Sequence, residues 1–390
     1  MKERKQSFLK FKARLLFPFL LCLCFVEWSF SENQRNYPLP ENPLKGRLVF
    51  FQKGCINCHT IWGIGESFGP DLTKIGKEKG FFDIAGDLWS HSPKMIEVMK
   101  EKEIERPVLT PLETEDLMAY LYYLGFFDEL GDYYRGEEIF TGKGCVQCHS
   151  VGGKAKKTGP PLDKYGRYVS PVFIATALWN HSSTVSEAMV GQNFGAREMS
   201  HLLAFIKGDA QNKEGETIYI QPGNPKEGQE VFRRKKCLVC HVAPRLDLQR
   251  SPLNKSLTEI VGMMWSHSFQ MWEKMKEKRL QIPHFKEAEM ADLMAYLYFI
   301  PYYGLKGSPD RGEKIFSEKG CISCHSKKAV AEQKGIDLAE VSHFSLFELI
   351  SLMWNHVPQM EKMVTEMNLV WPRFEKGEMK DLISYIQSLK

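Results

Sequence analysis

The chain has 390 residues, of which 26% are charged and 43% hydrophobic, with ten cysteines and a formal net charge of +4. That excess sits in residues 1–31, which hold six Lys/Arg and two Asp/Glu and leave 46 residues of each sign beyond them. A near-neutral remainder gives no support for a nucleic-acid partner, and 390 residues would ordinarily make two or three domains.

The first 31 residues read as a secretory signal. Lys2, Arg4, Lys5, Lys10, Lys12 and Arg14 lead into an apolar run from Leu15 to Val26, and the small residues Ser29 and Ser31 fit a cleavage site. The run is short for a transmembrane helix, with an uncleaved anchor as the alternative. Cys22 and Cys24 fall inside it and read as small hydrophobes in a segment that is removed. Leu21 is not the small residue that lipoprotein cleavage prefers before a cysteine. The expected location is periplasmic or extracellular.

Beyond the leader the sequence repeats. C-x-x-C-H occurs at Cys55–His59, Cys145–His149, Cys237–His241 and Cys321–His325, at spacings of 90, 92 and 84 residues. Four small units are expected, at 43–130, 131–207, 226–305 and 306–390, with a Gly/Pro/Asn/Lys linker at 208–225. Each opens on an amphipathic G-x-x-x-F segment, as in RGEEIFTGKGCVQCH from Arg135, that predicts a helix ending at the motif. A second helix follows, with capping boxes at Ser256/Glu259 and Ser345/Glu348 and an N-cap with N1 proline at Ser170-Pro171. It ends in Trp-x-His, at Trp89/His91, Trp179/His181, Trp265/His267 and Trp354/His356, and a new helix is expected just beyond, as at Ser92-Pro93. A closing helix with a wide apolar face completes the unit, as in DLMAYLYYL from Asp116. Short turns near Gly131 and at Gly307-Ser308-Pro309 predict tight pairing of units 1 with 2 and 3 with 4. Thr217–Ile220 is either a short strand or simply extended.

C-x-x-C-H is the c-type haem attachment signature. Cys55 with Cys58, Cys145 with Cys148, Cys237 with Cys240 and Cys321 with Cys324 would form the thioethers, and His59, His149, His241 and His325 would reach the iron from one side. A zinc site would need a second Cys or His pair near each motif, and no cysteine is left to supply one. Units of about 85 residues bury little apolar surface alone, so four covalent haems c, each with its iron, are expected to fill their cores.

At this level the chain resembles the class I cytochrome c family over residues 43–390. The resemblance rests on the helix before C-x-x-C-H, on Gly69-Pro70-Asp71-Leu72 and Gly159-Pro160-Pro161-Leu162, and on the closing helices. It implies an all-α fold of four tandem cytochrome c-like domains, each a small helical bundle around one haem. It also implies that the Pro70 and Pro160 carbonyls orient the proximal histidines. Ser251-Pro252-Leu253 and Gly335-Ile336-Asp337-Leu338 depart from the pattern. The family takes its sixth ligand from a methionine in an M-P-x-F-like loop, but here the matching residues are Arg106-Pro107, Gln192-Asn193-Phe194, Ile282-Pro283 and Trp371-Pro372.

Two candidates remain for that ligand. His91, His181, His267 and His356 occur in every unit, 32, 32, 26 and 31 residues after the proximal histidine. Met95, Met271 and Met360, or Met99, Met189 and Met275, follow at helical spacing, but each series lacks a member. The histidines are favoured, and the methionines read as packing. Bis-histidine coordination implies a lower potential than His/Met. The expected function is relay of electrons between redox proteins, a membrane respiratory complex among the candidate partners, with no catalytic residues and no substrate. A multihaem enzyme of peroxidase or nitrogen-oxide reductase type, with one open iron, is the competing reading, and a His/Met carrier subunit is the other.

Overall fold

The computed structural model describes residues 38–153, 158–166, 169–189, 192–208, 222–241, 248, 255–326 and 335–389, with side chains left out at 182–189. The expected leader with Cys22 and Cys24, the segment Thr217–Ile220 and most of the expected linker lie outside them. Contacts divide the chain into Met1–Arg35 and Asn36–Lys390, and all described residues belong to the second unit. Among them the structure is helical, with one isolated bridge between Ile61 and Ile64 and no strand. No described helix is long and apolar enough to cross a membrane.

The same helical crossing occurs around each motif. Opening helices run over Lys45–Gln52, Tyr133–Gly142, Pro225–Arg234 and Pro309–Glu318. Closing helices run over Pro111–Tyr123, Glu198–Lys207, Glu287–Phe299 and Glu378–Ile386. A Cβ on Gly46, Gly136, Gly228 or Gly312 would collide with the carbonyl of Asp116, His201, Asp292 or Asp381 in the closing helix. The missing side chain lets the backbones close, and the phenylalanine four residues on then meets an aromatic ring of the closing helix. Phe50 meets Tyr120, Phe140 meets Phe205, Phe232 meets Tyr296 and Phe316 meets Tyr385, with ring centroids 6.2, 5.2, 5.4 and 5.4 Å apart. Such pairs add about 0.5–1.5 kcal/mol to their area burial.

After three opening helices Gly54, Gly144 and Gly320 take φ values of 73, 76 and 79°, and Lys236 takes 64° at the matching position. A side chain in that left-handed region costs roughly 1–2 kcal/mol. Lys236→Gly is therefore expected to stabilise the protein by about 1 kcal/mol in urea unfolding. An unchanged or lowered midpoint would refute the assignment of strain.

The middle helices fall into two kinds. In the first and third repeats they stop at Ser90 and Ser266, and new helices begin at Ser92 and Ser268. Ser90 and Ser266 donate back to the carbonyls of Gly86 and Gly262, a bond that bends helices. In the second and fourth repeats, where asparagine replaces that serine, single helices continue over Pro171–Met189 and Leu346–Glu366. The expected restart after Trp-x-His thus holds for the serine repeats and not for the asparagine repeats. Pro358 lies inside the last of these helices. It cannot bond the Trp354 carbonyl four residues back, and Arg106 Nη2 donates to that oxygen instead, at 3.2 Å.

The expected pairing of repeats 1 with 2 and 3 with 4 is overturned. Trp89 Nε1 donates to the Pro372 carbonyl at 2.9 Å, and Trp354 Nε1 to the Pro107 carbonyl at 2.8 Å, so repeats 1 and 4 clasp each other. Trp179 Nε1 reaches the Pro283 carbonyl at 2.6 Å, and Phe194 N donates to Ser266 Oγ at 2.9 Å, joining 2 to 3. The middle residue of Trp-x-His completes each clasp. Asn355 exchanges two hydrogen bonds with the Leu109 backbone and Asn180 two with Phe285, while Ser90 Oγ accepts from Phe374 N. Short turns constrain which chain ends are neighbours, but these buried polar pairs decide which faces meet.

The two clasped pairs are joined through repeats 1 and 3. Tyr122 donates to the Tyr298 carbonyl at 3.0 Å and Tyr298 to the Tyr122 carbonyl at 2.8 Å. Around them pack Phe81, Tyr123, Phe126, Phe299 and Tyr302. The spatial order is therefore 4, 1, 3, 2.

Candidate functional site

Each C-x-x-C forms one 3-10 turn, at Cys55–Asn57, Cys145–Gln147, Cys237–Val239 and Cys321–Ser323. The turn places the following histidine N–H on the carbonyl of the first cysteine at 2.9 Å in all four. All eight cysteines are unpaired and partly buried. Burial pushes the first thiol of three motifs, Cys55, Cys237 and Cys321, up to about 11. Cys145 is raised too, for the same reason. Each turn keeps its two cysteines three residues apart in the chain, an arrangement suited to a two-point covalent attachment.

Three of the four C-x-x-C-H histidines are held by a carbonyl eleven residues on. His59 Nδ1 lies 3.0 Å from Pro70 O, His149 Nδ1 2.9 Å from Pro160 O, and His325 Nδ1 3.1 Å from Ile336 O. Carbonyls accept, so Nδ1 carries the proton and Nε2 is left free to bind. The fourth repeat makes this bond without a proline, because Ile336 occupies the same place in the chain. His241 Nδ1 is buried without a partner among the described residues, and Ser251-Pro252-Leu253 is outside them. A Cβ on Gly69 would stand 2.5 Å from His59 Cε1, and one on Gly159 2.6 Å from His149 Cε1. Close passage of the imidazole is why glycine precedes the proline.

The Trp-x-His histidines come to the other side. The His149 and His181 rings have centroids 6.4 Å apart. Two metal–imidazole bonds of about 2 Å each, plus two ring radii, give roughly 6 Å, so the gap fits one metal ion between the rings. In the other repeats the same partners feel each other's charge, His91 with His59, His241 with His267 and His325 with His356. Burial first, and then the facing imidazole, lowers the pKa of His91, His241 and His325; burial alone lowers that of His356. The neutral imidazole that a metal requires is thus favoured. His267 Nδ1 donates to the Met263 carbonyl at 2.5 Å, and His91 bonds the Asp87 carbonyl at the same spacing. Met95, Met271, Met275 and Met360 are partly buried against the core. The side chain of Met189 is outside the described residues.

One recurring element escaped the sequence reading. A lysine stands two residues before each motif, and its ammonium ties the opening helix to the start of the closing helix. Lys53 pairs with Glu113, Lys143 with Glu198, Lys235 with Glu289 and Lys319 with Glu378, at 2.8–3.0 Å. Three of them also donate to the loop where the family carries its methionine, at the carbonyls of Val108, Asn193 and His284. Burial would raise Glu289, but the Lys286 N–H, Lys235 and Arg234 outweigh it and hold the carboxyl at about 2. The fourfold Lys-x-Cys was the available signal. His201 is a buried acceptor for the Asp132 N–H.

Residues 309–390 match the family model described as Cytochrome c. No solved structure matches the chain. The matched residues include Cys321, Cys324, His325 and His356, with His325 held by the Ile336 carbonyl and within reach of the charge of His356. The donor set fits haem c: two thiols on one turn and two neutral imidazoles on opposite sides of a gap.

Proposed function

We propose that this chain is an exported tetrahaem c-type cytochrome that relays electrons between redox proteins. Four tandem cytochrome c domains, at 43–130, 131–207, 226–305 and 306–390, each hold one covalent haem. The observation that carries this reading is the facing of two histidines in every repeat, with the 6.4 Å gap between His149 and His181 as its measured case. His59, His149, His241 and His325 are the proximal ligands, and His91, His181, His267 and His356 the distal ones. Haem c supplies a one-electron ferric–ferrous couple whose potential is set by its axial ligands and surroundings. The protein's part is to hold both imidazoles neutral and correctly turned. The carbonyl bonds at Nδ1 set the turn of the ring and make it a stronger donor, while burial disfavours the charged form of His91, His241, His325 and His356. With both axial positions taken in each repeat, no iron is left for substrate, which disfavours the enzyme reading. The spatial order 4, 1, 3, 2 replaces chain order as the path of electrons.

Intact mass and a redox titration followed by electron paramagnetic resonance test this directly. The expected result is four haem additions on a chain shortened by its leader, four low-spin ferric signals, and no carbon monoxide adduct after reduction. Fewer than four additions, or a high-spin majority, would refute it.

A further inference from the structure

Arg106 occupies the junction of the first and fourth repeats. It takes the place of the family's missing methionine, just before Pro107. Its guanidinium lies 3.5 Å over the ring of Trp354 and donates through Nη2 to the Trp354 carbonyl at 3.2 Å and weakly to Ser92 Oγ at 3.4 Å. Ser92 follows His91 directly, and Trp354 stands two residues before His356. The cation is thus wedged between the two distal-histidine segments. Nε and Nη1 are buried and have no hydrogen-bond partner, and among the described residues no carboxylate pairs with the group. Burial alone lowers its pKa to about 10, so it stays charged at neutral pH. Buried donors are ordinarily hydrogen-bonded, and an anion beside Nε and Nη1 would satisfy both the donors and the charge.

The matching positions are uncharged: Gly191, Ile282 and Trp371. Trp371 stacks on Trp89 at 4.7 Å, the mirror contact of Arg106 on Trp354. At the junction of repeats 2 and 3 the buried donor without a partner is the neutral Trp272 Nε1. Among the described residues, a buried cation without a carboxylate stands at the first junction and none at the second.

We propose that Arg106 is the counter-charge for haem propionate at the junction of repeats 1 and 4, its unpartnered Nε and Nη1 donating to propionate oxygens. The inference rests on the haem reading above. A guanidinium keeps its charge and offers fixed donors to carboxylate oxygens, and the propionates are the carboxylates that haem c carries. A fixed positive charge beside a haem favours the ferrous over the ferric state, so the clasp of 1 with 4 contains a haem of higher potential than its counterparts in 2 and 3.

Arg106→Gln, which removes the charge without offering a thioether to iron, and Arg106→Lys, which keeps the charge, test this by spectroelectrochemical titration of the full chain. In Arg106→Gln one midpoint is expected to fall so that its ferrous-to-ferric ratio at fixed potential drops at least tenfold, about 59 mV for one electron. Arg106→Lys should recover most of that shift. Four unmoved midpoints, with haem content and all four low-spin signals retained, would overturn the proposal. Should Arg106→Gln fail to fold, the unmodified protein decides. With isotope-labelled arginine, its oxidised-minus-reduced infrared spectrum should contain a guanidinium band that shifts with the label. Absence of any such band refutes the pairing. A wrong haem reading would show separately, as missing haem mass.

Discussion

His181→Ala is expected to convert one of four low-spin haems into an open one that binds carbon monoxide when reduced. Stoichiometry should rise from none to about one per chain, and the other three signals should be unmoved. His181 suits the experiment because its ring is exposed and its helix runs on through Met189 without a break at that residue. Removing the ring therefore disturbs neither a cap nor a turn, unlike His91 and His267, which sit at breaks between helices. The His149 ring remains held by the Pro160 carbonyl, so the proximal bond should survive. If spectrum and ligand binding stay unchanged in His181→Ala, the distal position belongs to another side chain, and Met189 becomes the one to replace next.

The second large effect concerns the clasp. Asn355→Ala leaves the buried Leu109 backbone N–H and carbonyl without the bonds of 3.0 and 2.8 Å that they make across 246 residues of sequence. A buried polar group stripped of its partner costs about 1–3 kcal/mol, so a loss of about 2–4 kcal/mol is expected in denaturant unfolding. Hydrogen exchange locates the damage. Residues 106–110 should lose protection while 282–286 keep it. In Asn180→Ala the pattern should reverse, because Asn180 serves Phe285. Loss at 282–286 in Asn355→Ala would mean that repeat 4 sits on repeat 3, as the short turn between them had suggested.

What could be read from the sequence was local. The opening helices, the capping of Ser170, Ser256 and Ser345, and the Trp-x-His and closing helices depend on spacing within ten or so residues, and they are where the pattern put them. The histidines of C-x-x-C-H and Trp-x-His stood out because both motifs recur in all four copies. The choice of partner repeat was not. Alternation of Ser and Asn within Trp-x-His makes each serine repeat complementary to either asparagine repeat, so 1 with 2 and 1 with 4 look alike in one dimension. The Ile336 carbonyl was obscured for a related reason. The position in the chain supplies the acceptor, and the proline that usually marks it is dispensable. Arg106 looked like a lost ligand and proved to be a charge at a seam.

The clasp between Trp89 and Pro372 has a kinetic side. Their hydrogen bond spans 283 residues, and contacts so distant in sequence are slow to form. A growing chain presents its first repeat long before the surface that covers it exists. Until the last eighty residues arrive, Trp89 and the Leu109 backbone stay wet and open to wrong partners. Maturation of the earliest unit is gated by completion of the final one.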